Sequence, residues 1–93
     1  MPRISVVTIC MDNPRELTQT CRSVSTQTTR PRRHIVVDSS SSEPQELMRS
    51  IAEGNGATYR WVEPTGTYAA MARGLEELAD QDYVVFLNAT DRF

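Results

Sequence analysis

The stretch His34-Ile35-Val36-Val37-Asp38-Ser39-Ser40-Ser41-Ser42-Glu43-Pro44-Gln45-Glu46-Leu47-Met48 decides the fold. Its first five residues enclose an apolar, β-branched run and read as a strand. Four serines interrupt the run and read as a loop. Ser42 with Gln45 then forms a capping-box signature for the start of a helix. Leu47, Met48 and Ile51 line one side of that helix, and Gly54-Asn55-Gly56 ends it. A strand, a loop and a helix thus follow one another within a short span.

The same succession continues on both sides. Upstream, residues 4–10 are apolar and β-branched, the pattern of a strand buried on both faces. Asn13-Pro14 opens a helix: Asn13 suits the cap, Pro14 the first helical position, and Glu16 completes a second capping pattern. Leu17, Cys21 and Val24 fall on one face of it. Residues 28–33 form a polar connection containing Pro31. Downstream, residues 58–62 read as a short strand and Glu63-Pro64-Thr65-Gly66 as a loop. A third helix carries Met71, Leu75 and Leu78 on one face. Residues 82–87 are a fourth strand, and residues 88–93 a turn. The order β-α-β-α-β-α-β predicts an α/β fold with a mainly parallel four-stranded sheet and helical crossovers.

Composition narrows the function classes. Ninety-three residues allow a single domain. A net charge of −2 gives no electrostatic case for nucleic acid or an anionic membrane. All ten basic side chains are Arg, so no lysine is available as a base or for a Schiff base. Cys10 and Cys21 lack C-x-x-C spacing and the chain has one His, too little for a zinc site. They read as buried thiols in a reducing compartment, and the expected location is cytoplasmic. Residues 1–9 do not form a signal peptide, and no segment approaches the roughly 20 apolar residues of a membrane span.

In an open parallel sheet, ligands gather beyond the carboxyl ends of the strands. Residues 10–13, 38–42, 63–67 and 88–91 occupy that edge. They carry carboxylate, hydroxyl and amide groups suited to a hydroxyl-rich, phosphate-bearing ligand. Asp38 is placed to accept a hydrogen bond from a base N–H or a ribose hydroxyl, or to serve as a turn residue. Asp91 is placed either to ligate Mg²⁺ or Mn²⁺ on a diphosphate or to shape a turn.

These residues carry a resemblance. Ile4-Ser5-Val6-Val7-Thr8-Ile9 with Asn13 is similar to the opening strand and turn of the family-2 glycosyltransferases of the GT-A fold. Val36-Val37-Asp38-Ser39-Ser40-Ser41-Ser42-Glu43 is similar to their V-I-D-G-G-S-T-D segment. Glu63-Pro64, Gly66, Tyr68, Ala70-Met71 and Gly74 follow their E-P-D-x-G-I-Y-D-A-M-N-x-G segment, with one residue deleted near Thr65. Val85-Phe86-Leu87-Asn88-Ala89-Thr90-Asp91-Arg92-Phe93 resembles V-F-L-N-S-D-D-x-F, which holds their D-x-D metal motif. Four motifs in order cover nearly the whole chain.

The resemblance implies a three-layer, Rossmann-like half-domain that binds a nucleotide-diphospho-sugar, a UDP-sugar above all. Asp38 would hold the base, the backbone of Thr8, Ile9 and Cys10 would line its pocket, and the Gly66 loop would approach the ribose and diphosphate. Asp91 would ligate a divalent Mn or Mg. The departures bear on the same site. Thr90 stands for the first Asp of the metal pair, Ala69 for an Asp and Ala72 for an Asn. Each removes a polar contact, and a charge-assisted hydrogen bond is worth about 1.5–3 kcal/mol. The family's catalytic base and acceptor site follow the D-x-D motif, so the resemblance assigns no catalytic residue here. The chain alone is expected to be an inactive, truncated transferase. The alternative is a degenerate α/β module that binds nucleotide weakly or only self-associates.

Other residues read as structural. His34, following Arg30-Pro31-Arg32-Arg33, reads as part of a solvated charged turn at the amino edge. Trp61, Met48 and Met71 read as packing, and Arg73 as an exposed helix residue. The apolar strand at 84–87 would leave an open edge or face, which predicts a homo-dimer or higher oligomer.

Overall fold

In the computed structural model, which describes residues 4–27, 31, 33–64, 67–76 and 83–88, the alternating pattern resolves into seven elements. They are β1 (Ile4–Cys10), α1 (Pro14–Ser25), β2 (His34–Asp38), α2 (Ser42–Gly54), β3 (Thr58–Trp61), α3 (Thr67–Glu76) and β4 (Tyr83–Asn88). The four strands form one sheet of order β3-β2-β1-β4, parallel at every pairing. The chain steps outward from β1 to β3, then returns across β1 to β4. Its central strands are buried on both faces, which accounts for the unbroken apolar runs in β1 and β2.

Helices cover both faces, giving three layers. On one side, Leu17 and Cys21 of α1 and Met48 and Ala52 of α2 pack on Cys10, Val36 and Tyr59. On the other, Ala70 of α3 meets Val7, Ile35 and Val37, with Ile9, Val62, Val84 and Phe86 packed alongside. Leu17, Ile35 and Met48 are fully buried, each contributing about 1.5–3 kcal/mol by burial alone. Cys10 and Cys21 are free, buried thiols.

Several local expectations are corrected. Leu47 does not line the core: it is 53% exposed, while Met48 and Ala52 face inward and Ile51 is half-buried. Leu75 is likewise exposed, and Leu78 lies outside the described residues. The buried side of α3 is formed by Ala70 and Gly74. A Cβ on Gly74 would lie 2.5 Å from Val7 Cγ1, so a glycine there lets the helix approach β1 closely. The capping box also fails. Ser41 is the residue that precedes α2, but its side chain does not cap the helix, and neither does that of Asn13 for α1. Asn13 Oδ1 instead accepts the Met11 N–H at 3.0 Å.

His34 is a further correction. It is buried rather than solvated, with Nε2 2.7 Å from Thr8 Oγ1. Burial lowers its pKa from 6.5 to about 4. Beside it, Val24, Ser25, Pro31, Arg33, Asn55 and Gly56 complete the lining of a cavity of about 240 Å³ at the amino edge.

Candidate functional site

The return of the chain across β1 makes a topological switch between β1 and β4, the place where ligands enter open parallel sheets. Cys10, Asp38 and Trp61 are register partners across β1, β2 and β3 and stand together at that carboxyl edge. Ile9 pairs with Asn88 at the end of β4. The loops that follow β1 and β2 therefore lie side by side above the sheet.

Asp38 holds these loops from below. Its carboxylate is fully buried. Oδ1 accepts from the Ser40 N–H at 3.0 Å, from the Ser40 hydroxyl at 2.5 Å and from the Cys10 thiol at 3.6 Å. Oδ2 accepts from the Tyr59 hydroxyl at 2.5 Å. Burial, then the hydrogen bond to Asp38, pushes the Tyr59 phenol pKa up; burial and then the Asp38 charge do the same to the Cys10 thiol. Burial alone raises Cys21 to about 11. The Arg49 guanidinium lies 5.2 Å from the centre of the Tyr59 ring, within cation–π range.

Ser40 passes this anchoring upward. Its hydroxyl oxygen accepts the Asp12 N–H at 2.8 Å. Its carbonyl accepts the Trp61 indole N–H at 2.8 Å and the Gln45 amide at 3.3 Å. Asp12 sits at φ +53°, a left-handed conformation that Asp and Asn adopt more readily than other side chains. From there its Oδ1 accepts both the N–H of Ser41, at 2.9 Å, and its hydroxyl, at 3.0 Å. The Ser39 N–H donates to the Cys10 carbonyl at 3.1 Å. Four hydrogen bonds thus join residues 10–12 to residues 39–41. Their combined effect is a rim ordered before any ligand arrives.

The expected site residues fall into three groups. Cys10 and Asp38 meet at the carboxyl edge. Thr8 is buried lower in the sheet against His34, and Ile9 turns toward the α3 side. Gly66 and Asp91 lie outside the described residues, as do Ala89 and Thr90. Asp38 is fully buried, so direct contact with a base would first require the groups that cover it to move. Tyr59 was missed from the sequence, while Asp12, Ser40 and Ser41 fall within the expected 10–13 and 38–42 segments but had no individual role assigned. Asp12 carried one legible signal, a carboxylate directly after a strand and before Asn-Pro. Its partners lie in the loop after β2, beyond the reach of local patterning.

Comparison with known proteins agrees with this architecture. Two proteins of Mycobacterium tuberculosis, from strains CDC 1551 / Oshkosh and ATCC 25618 / H37Rv, are each 34% identical over 93 residues, and each is named "uncharacterized glycosyltransferase". The match covers 99% of this chain and 35% of each relative, so the chain spans about a third of their length. Among solved structures, TarS of S. aureus superposes with a TM-score of 0.76 at 17% identity, over 97% of this chain and 17% of that one. The 4-diphosphocytidyl-2C-methyl-D-erythritol synthase of Anaerococcus prevotii DSM 20548 superposes with a TM-score of 0.66 at 18% identity, over 95% and 43%. At those identities the likeness is one of fold. The family model "Glycosyl transferase family 2" matches residues 5–93, and the chain belongs to that family.

Proposed function

We propose that the chain supplies the donor-nucleotide side of a sugar-transfer site and binds a nucleotide-diphospho-sugar, with UDP-sugars as the donor class. The observation that carries this reading is the ordered rim at the ends of β1 and β2, beside the β1/β4 switch, in a family-2 chain. Backbone groups around Cys10 to Asp12 and the loop at 39–41 line the nucleotide pocket. Asp38 acts on that pocket chiefly through Ser40, since its carboxylate is fully buried and bonded to the Ser40 N–H and hydroxyl. The Gly66 loop approaches the ribose and diphosphate.

A divalent Mn or Mg belongs to the proposal, with Asp91 as its protein ligand. The Asp91 carboxylate is the hard oxygen donor these ions take, whereas Thr90 offers only a neutral hydroxyl. Among the described residues no three His, Cys, Asp or Glu side chains cluster, so the fit rests on Asp91 and the diphosphate oxygens. Such an ion, when bound, would neutralise charge on the departing diphosphate. Transfer also needs a carboxylate to take the acceptor's proton, and the proposal assigns that role to no residue of this chain.

Calorimetric titration with UDP, in the presence and absence of Mn²⁺, tests the reading. Saturable binding that weakens without metal, and weakens in the same way in Asp91→Asn, is the expected result. Absence of heat at millimolar UDP would remove the donor-site function.

A further inference from the structure

Trp61 closes β3 in register with Asp38, at the carboxyl edge where the rim stands. The sheet treats it differently from Tyr59, two residues earlier on the same strand. Tyr59 is 7% exposed and packs into the core on the α1/α2 side, whereas Trp61 remains 40% exposed. Its polar tip is nevertheless fixed, because the indole N–H donates to the Ser40 carbonyl at 2.8 Å. The ring is anchored by its N–H edge, on the outermost strand, with 40% of the residue left to solvent.

The anchor is also the hub of the rim. Ser40 gives its N–H and hydroxyl to Asp38, receives the Asp12 N–H, and receives the Trp61 indole. Ring and loop are therefore held by one residue. A partly exposed, uncharged indole held in this position suits a flat ligand group, since stacking on indole needs no particular hydrogen-bond pattern.

The sheet order indicates which part of a nucleotide that group would be. With order β3-β2-β1-β4, Trp61 lies three strand spacings from β4, about 14 Å at about 4.8 Å per spacing. Residues 88–91, which carry the metal-binding carboxylate of the reading above, follow β4. A diphosphate bound there leaves the β2/β3 end for the base, and the separation is comparable with an extended nucleoside diphosphate. We propose that Trp61 is the stacking platform for the nucleobase, an inference that rests on the donor-nucleotide reading and adds to it a residue that contacts the base.

Trp61 is the only tryptophan in the chain, so its emission reports this position alone. Titration with UDP and Mg²⁺ is followed by calorimetry and by tryptophan fluorescence on the same samples. UDP is expected to quench the emission with the midpoint found by calorimetry, and inorganic pyrophosphate, which lacks a base, to leave it unchanged. Trp61→Ala is expected to weaken UDP about tenfold, and Trp61→Phe, which keeps a flat ring but loses the N–H, less than about threefold. Circular dichroism confirms that the variants are folded; if Trp61→Ala is not, the Phe variant and the emission decide. Binding heat with unchanged emission and unweakened variants would overturn the platform and leave the donor site standing. No binding heat from UDP would overturn both.

Discussion

Tyr59 and Ser40 each place a hydroxyl 2.5 Å from Asp38, and the difference between their roles is open to measurement. Tyr59→Phe removes one donor from a carboxylate that is fully buried. An unmatched hydrogen bond to such a group costs about 1.5–3 kcal/mol, and urea unfolding should show a loss of that size. The sequence marked Asp38 as a strand-end acid, which the structure retains. That the acid is sealed beneath the rim depends on Tyr59 and Cys10, whose neighbourhood is set by strand pairing and not by local order. His34 makes the same point at the other end of the sheet. It stood in a run of arginines, yet strand pairing draws it into the interior against Thr8. Its folded pKa of about 4 lies below the free value of 6.5, so between those values the unfolded chain binds the proton more readily. Stability should therefore fall as pH drops from about 6.5 to 4 and level off below, by up to about 3 kcal/mol from this group. Denaturant midpoints across that window check the sign, and His34→Gln should flatten the dependence.

At the scale of elements, the strands and their succession along the chain were legible because buried parallel strands leave long β-branched runs; their order in the sheet was not, since it depends on which strands pair. Helix faces were less so. In α2 the core takes Met48 as expected but leaves Leu47 out, and in α3 it takes Ala70 and Gly74 in place of Leu75. Small residues explain the difference. Ala52 in α2, and Ala70 and Gly74 in α3, let the helices lie close to the sheet, and Leu47 and Leu75 are left outside. Val7 occupies the space beside Gly74 and, being β-branched, has few rotamers to yield with. Gly74→Ala gains about 1 kcal/mol in helix propensity, but overpacking costs about 1–3 kcal/mol. A net destabilisation of about 1 kcal/mol is the predicted outcome. A double-mutant cycle with Val7→Ala should show that the two positions are coupled. The caps were misread for a related reason: Asn13 and Ser41, which precedes α2 in place of the expected Ser42, use their side chains on the loops and not on the helices. Local signals of helix initiation were real, but the rim competes for the same groups.

For the whole molecule, the layered α/β architecture and the family were both legible, since four weak motifs in order are jointly specific. The inter-loop contacts that give the site its shape were not, because residues 10–12 and 39–41 meet only after β1 and β2 pair. Association is a further consequence at this scale. Among the described residues no strand pairs with the outer side of β4, where Tyr83 is 66% exposed. Such an edge is a template for a second copy. Sedimentation velocity at high micromolar concentration should detect a dimer, and a charged substitution at the exposed edge residue, Tyr83→Lys, should shift it toward monomer. Backbone amide NMR of the chain titrated with UDP and Mg²⁺ tests directly whether the carboxyl edge is a donor-nucleotide site. Shifts should concentrate at Met11, Asp12, Ser39 to Ser41 and Trp61 to Glu63, with Arg33, His34 and Asn55 at the opposite edge unmoved. Shifts confined to the amino edge, or none at millimolar UDP, would contradict it.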